Sequence, residues 1–197
     1  MKLIFATNNQ HKVDEIMAVL PANYQIITLK EAGIDIDIPE PYDTLQENAA
    51  EKCNVIFEKT KTACFGEDTG LEVPALNNEP GVKSARYAGE QRSSQQNIEK
   101  LLAKLEGIED RSARFRTVIC LRLAGEQQLF EGVCEGKIIS TPMGSDGFGY
   151  DPVFVPSGSH KTFAEMNMAE KNSFSHRSKA VHQLVNFLNS LDKNLQT

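Results

Sequence analysis

Nothing in the sequence approaches the roughly twenty consecutive apolar residues that a membrane-crossing helix requires, so no transmembrane helix is expected. Met1-Lys2-Leu3-Ile4-Phe5-Ala6 is too short for the apolar core of a signal peptide, and Thr7-Asn8-Asn9 follows at once. A basic excess is missing as well: 21 Lys and Arg stand against 27 Asp and Glu, a net charge of -6. That disfavours a general nucleic-acid or membrane-surface binder, which depends on a basic field. The four cysteines, Cys53, Cys64, Cys120 and Cys134, lie far apart in apolar segments with no Cys-x-x-Cys among them. Zinc and thiol-redox functions are therefore weakly supported, and reduced, buried cysteines in a cytoplasmic protein are expected. Low-complexity runs are absent, and the length suits one domain over residues 1–197, bilobed at most.

The centre of the sequence is Phe65-Gly66-Glu67-Asp68-Thr69-Gly70-Leu71. Thr62 to Phe65 reads as the end of one short strand and Leu71 to Val73 as another, with a glycine-bounded turn between them. Two adjacent carboxylates at a strand end suit a hard divalent cation such as Mg²⁺, which takes oxygen ligands. The same residue types also make an ordinary polar turn.

Leu3 to Ala6 is an apolar run, and Val13, Ile16, Met17 and Leu20 mark a helix stopped by Pro21. Asn8 or Asn9 is its N-cap, which puts Lys12 in the first turn, where the helix dipole disfavours a cation. Lys12 is there a surface lysine or a phosphate ligand; the Walker A spacing is absent. Tyr24 to Leu29 is a second strand, giving a parallel strand–helix–strand unit. An acidic, proline-punctuated loop from Ile34 to Tyr42 carries Asp35, Asp37 and Glu40. A capping-box pattern at Thr44 and Glu47 starts the next helix, on which Asn48 and Lys52 share a face. A helix capped by Ser93 or Ser94 follows, then two β-rich runs, Ala113–Ala124 and Leu129–Ile139, joined by a turn over Gly125 to Gln128. These elements together describe a mixed α/β sheet.

Gly144 to Pro152 combines three glycines with Phe148, Tyr150 and Asp151. Flat rings beside a polar reader suit a nucleobase, although the rings suit a core equally well. Lys171 to Arg177 precedes a helix striped with Val181, Leu184, Val185, Leu188 and Leu191, and Ser175 is a plausible N-cap followed by His176 and Arg177.

With Thr7 to Lys12, Glu40, Glu47-Asn48-Ala49, Lys52, Glu67 to Leu71, Pro80 to Gly89, Phe148-Gly149-Tyr150-Asp151 and Lys171 through Ser175-His176-Arg177 in this order, the chain resembles the inosine triphosphate pyrophosphatase family. That resemblance implies an α/β fold with a long mixed sheet, flanking helices and two lobes around a central cleft. It also implies a homodimer that uses Mg²⁺ to hydrolyse ITP, dITP and XTP to the monophosphate and pyrophosphate. By it, Thr7, Asn8, Asn9, Gln10, His11, Lys12, Lys52 and Thr69 would serve the phosphates. Glu40 and Asp68 would bind Mg²⁺, with Asp68 as the base. Phe148, Gly149, Tyr150, Asp151, Lys171, His176 and Arg177 would hold the purine. Asn8 and His11 stand where the family's first loop usually has glycines, and Glu67 where it often has Asp. Action on other modified nucleotides, and non-catalytic nucleotide sensing, are the rival functions.

Overall fold

A computed structural model describes residues 1–194. The first strand, β1 (Lys2–Phe5), leads to helix α1 (Gln10–Met17), strand β2 (Gln25–Thr28) and helix α2 (Leu45–Thr60). Then come β3 (Cys64–Val73), the short β4 (Glu79–Gly81), α3 (Ser94–Lys104), β5 (Ser112–Leu123), β6 (Glu126–Ile138) and β7 (Phe154–Pro156), followed by α4 (Met168–Phe174) and α5 (His176–Asn194). The strands pair in the order β2-β1-β3-β5-β6-β7, with β4 on β3. β1 is parallel to both β2 and β3, whereas β4 and β7 pair antiparallel, so the sheet is mixed as the sequence implied.

The chain divides into two compact units. Among the described residues the first comprises 1–68, 117–132 and 177–194, and its core holds Leu3, Phe5, Ile16, Phe65, Ile119, Leu121, Val181 and Leu184. Phe5 and Phe65, on neighbouring parallel strands, stack with ring centroids 4.4 Å apart. The second comprises residues 69–116 and 133–176, and packs Leu71, Leu101, Phe115, Tyr150, Phe154 and Phe163.

Three local expectations are corrected. Glu67 to Gly70 is not a turn: Cys64–Val73 is one ten-residue strand. Its glycines are there for close approach rather than for chain reversal. A Cβ on Gly66 would stand 2.5 Å from the Ala49 carbonyl oxygen on α2, and one on Gly70 would stand 2.7 Å from that of Gly81. The β5–β6 hairpin turns at Ala124 and Gly125, with φ of 50° and 87°, and Glu126 already lies in β6. Two residues of positive φ match the right-handed twist of the strands they join. Finally, Lys171 lies within the short α4, whose signal was the capping box that Asn167 forms with Glu170. All four cysteines are free and buried.

Candidate active site

In the first unit, four elements bring charged side chains together. Asn9 caps α1 by accepting from the Lys12 amide, which fixes Lys12 in the opening turn. One turn along, Glu15 is 4% exposed. α2 supplies Asn48 and Lys52, which share a face of the helix and are both buried. β3 supplies Glu67 and Asp68, and α5 supplies Arg177, among the largest fully buried side chains of the protein.

Lys52 is the centre of one group. Its Nζ lies 2.5 Å from Glu40 Oε1, 2.8 Å from Asp68 Oδ1 and 2.9 Å from the Glu67 carbonyl oxygen. Burial works against its charge, but Asp68 and Glu40 outweigh that and hold its pKa above the ordinary lysine value. Arg177 is the centre of the other. Its Nε and Nη2 donate to the two carboxylate oxygens of Glu67 at 3.0 and 2.9 Å, and its Nη1 donates to Glu15. A planar guanidinium meeting a carboxylate with two parallel bonds is strong and geometrically specific. Burial opposes the Arg177 charge too, and Glu67 and Glu15 more than offset it.

Lys12 stands apart from these tight pairs. Its Nζ is 3.4 Å from Glu67 Oε1 and its side chain is 15% exposed. Burial, together with the nearby Lys52 and Arg177 charges, brings its pKa below that of an ordinary lysine despite the Glu67 carboxylate. Asp68 is shifted up, chiefly by burial, against the pull of Lys52 and Lys12. A lysine shifted down and a carboxylate shifted up by burial are the kind of perturbation that clusters at functional sites.

The rest of the first loop spreads out. Thr7 Oγ1 accepts from the Asn9 amide at 3.2 Å, Asn8 Nδ2 donates to the Ile36 carbonyl at 2.9 Å, and Gln10 Nε2 donates to Asp14. His11 is exposed.

In the second unit, Asp151 organises a separate group. Its Oδ2 accepts from the Phe148 amide at 2.9 Å and from Lys171 Nζ at 2.6 Å. Gly147 must be glycine here, because a Cβ would stand 2.1 Å from that same oxygen at a φ of +74°. Lys171 Nζ lies 5.2 Å from the centre of the Phe148 ring. His176 is 3% exposed and stacks on Phe115, with centroids 4.7 Å apart and planes 13° apart. The two aromatics of the Phe-Gly-Tyr-Asp run differ. Phe148 is partly exposed, whereas Tyr150 sits in the core with its hydroxyl donating to the Ser84 carbonyl at 2.9 Å. Gly149 takes a φ of +63° between them. Thr69 is a half-buried residue of β3.

The structure thus brings Lys12, Glu40, Lys52 and Asp68 into one unit, and Phe148, Asp151, Lys171 and His176 into the other. Arg177, grouped by sequence with the latter, lies among the buried carboxylates of the former. Glu15 escaped the sequence reading because it lies beside the apolar stripe of α1. Its position three residues after Lys12 on a helix was the available signal. Among the described residues no cluster of three or more His, Cys, Asp and Glu forms a metal cage. Glu40 and Asp68, joined through Lys52, are the carboxylate pair available to a cation.

Comparison with known proteins agrees in sequence and in fold. The model of the Ham1 family matches residues 3–187. A dITP/XTP pyrophosphatase of Flavobacterium johnsoniae is 49% identical over 188 residues, covering 95% of this chain and 98% of that protein. One of Porphyromonas gingivalis is 50% identical over 188 residues, covering 95% and 97%. Among solved structures, a Ham1 protein of Staphylococcus aureus superposes with a TM-score of 0.87 at 39% identity, covering 96% of this chain and 99% of that one. A HAM1 protein of Coxiella burnetii gives 0.88 at 36%, with the same coverage.

Proposed function

The chain belongs to the Ham1 family, and from that premise we propose that it hydrolyses non-standard purine nucleoside triphosphates (ITP, dITP and XTP) to the monophosphate and pyrophosphate, with Mg²⁺, as a cytoplasmic homodimer. The observation that carries this reading is the Glu40–Lys52–Asp68 arrangement, with Lys12 in the same unit. Phosphoryl transfer depends on placing the phosphates and neutralising their charge.

The residues present fit Mg²⁺. It is a hard cation commonly held by one or two carboxylates, its shell completed by water and substrate phosphate, and Glu40 and Asp68, both within reach of the one Lys52 ammonium, would hold it. When bound, Mg²⁺ supplies charge neutralisation and lowers the pKa of attached water. Lys12 and Lys52 balance phosphate charge in this reading. Asp68 takes the proton of the attacking water, a task helped by burial, which raises its pKa above that of an ordinary aspartate. Glu67 keeps both oxygens on Arg177, so it orients its neighbours and does not abstract the proton.

The second unit's group serves the base. Phe148 offers a ring face, and Lys171 and His176 supply donors suited to a purine 6-oxo group. Adenine presents an amino group at that position, so donor would meet donor, and an unpaired buried donor costs about 1–3 kcal/mol. The relatives named dITP/XTP pyrophosphatase support the same preference. Initial rates with ITP, XTP and dATP, with and without chelator, test the reading. ITP and XTP should exceed dATP in kcat/KM by at least tenfold, and chelation should abolish turnover. Equal kcat/KM for dATP and ITP removes the base-reading role.

Lys12 gives a pH prediction. Its ammonium form holds phosphate, and its pKa lies below the ordinary 10.5. Lys52, by contrast, is shifted upward and stays charged. As pH rises through the Lys12 pKa, charge and phosphate affinity are lost, so kcat/KM should fall at a lower pH than a surface lysine allows. Lys12→Arg should move that alkaline limb to higher pH, since a guanidinium does not titrate in this range. A pH profile of kcat/KM for parent and variant checks it.

A further inference from the structure

We propose that Asn48 and Asn8 are positioning residues that pin the segment from Ile36 to Tyr42 at its two ends, and so deliver Glu40 to Asp68. Regular secondary structure does not shape this segment. It lies outside every helix and strand, and the loop backbone hydrogen bonds that stop at Ile34 resume at Asn48. Pro39 and Pro41 flank Glu40 and have no N–H to donate.

Two carboxamides take over that work. Asn48 is fully buried. Its Oδ1 accepts from the Tyr42 amide at 3.0 Å, and its Nδ2 donates to the Tyr42 carbonyl at 3.0 Å. One side chain thus grips both polar groups of a single residue's backbone, whatever side chain that residue carries; the Tyr42 ring itself is exposed. The same Nδ2 lies 3.4 Å from Asp68 Oδ2. At the other end Asn8 Nδ2 holds the Ile36 carbonyl at 2.9 Å. Four residues on from Asn48, on the same face of α2, Lys52 binds both Glu40 and Asp68. Lys52 therefore ties the two carboxylates by charge, while Asn48 ties the backbone beside Glu40, at Tyr42, to the Asp68 carboxylate. An amide buried with no partner would be costly; here it is bonded in both directions, twice to the Tyr42 backbone and once to Asp68. Asn8 gives the position a use that glycine could not, since glycine has no side chain to reach Ile36.

The kinetic consequence rests on the pyrophosphatase reading; the pinning does not. The test uses Asn48→Ala and Asn8→Ala in the full chain, with three readouts: hydrogen exchange of the peptide spanning residues 36–42, Mn²⁺ binding without nucleotide by water-proton relaxation, and kcat and KM for ITP. For Asn48→Ala we expect roughly tenfold faster exchange in that peptide, the loss of about one net hydrogen bond. We also expect a Mn²⁺ dissociation constant raised about 10–100-fold, as for other partners that orient metal ligands. Asn8→Ala, an exposed change that leaves folding intact, should move both readouts in the same direction by less, and so decides the matter if Asn48→Ala does not fold. Parental exchange in both variants overturns the proposal. So does faster exchange or a lower melting point with Mn²⁺ affinity unchanged, which is the signature of a merely structural role. A parent protein that binds Mn²⁺ but leaves ITP intact defeats the enzymatic reading, while exchange and Mn²⁺ affinity still judge the pins.

Discussion

Asp68→Asn is expected to lower kcat for ITP by about 10²–10⁴-fold, the usual contribution of a positioned general base, while the protein stays folded. The substitution keeps the shape of the side chain. Its amide oxygen can still accept from Lys52, and Lys52 keeps Glu40 and the Glu67 carbonyl as partners. What disappears is the proton acceptor, the oxygen that accepts from Asn48 Nδ2 at 3.4 Å, and one unit of negative charge beside a buried ammonium. Removing that charge also eases the approach of a polyanion, so KM should change far less than kcat. Glu67→Gln makes the contrast. Glu67 has no exposed side-chain surface and is committed to Arg177, so its loss should lower the melting point before it touches the chemistry. Steady-state kinetics beside thermal melts on the two variants separate these roles. An Asp68→Asn enzyme within tenfold of the parental kcat means the proton goes elsewhere.

Arg177→Ala is expected to cost about 3–5 kcal/mol of stability, the typical result of removing one partner from a buried ion pair. The guanidinium is 2% exposed and serves Glu67 with two bonds and Glu15 with a third. Without it two carboxylates remain in the interior, and Glu67 keeps Lys12 at 3.4 Å. Arg177→Lys recovers only part of the loss, because an ammonium cannot reproduce the two-pronged geometry. Pairing Arg177→Ala with Glu67→Gln should cost less than the sum of the two single changes, since the neutral amide strands no charge. Denaturant unfolding of the four proteins gives that coupling directly. Additive losses would show that Glu67 and Arg177 act independently.

Much of this arrangement was legible in the chain because it obeys local rules. The α1 and α2 caps at Asn9 and Thr44, the helical spacing of Asn48 and Lys52, and the parallel β1–α1–β2 unit are all properties of short windows. The central stretch misled for a physical reason. Glycines flanking polar residues usually signal a reversal, but Gly66 and Gly70 lie within a continuous strand at places where backbone from α2 and from β4 comes too close for a side chain. Only tertiary structure distinguishes the two uses. Arg177 was hidden in the same way. A cation in the first turn of a helix looks like a ligand reader, and its carboxylate partners lie 110 and 162 residues away in the chain. The unequal fates of Phe148 and Tyr150 were also out of reach, since alternation around Gly149 does not say which ring turns into the core. The resemblance to pyrophosphatases pointed to residues at each place, and the structure supplied their partners.

In this mechanism water attacks so that pyrophosphate leaves whole. Incubation of the protein with ITP and Mg²⁺, with IMP, IDP, pyrophosphate and orthophosphate measured separately, tests this most directly. One pyrophosphate should form for each IMP, with neither IDP nor orthophosphate. Orthophosphate accompanied by IDP would contradict it.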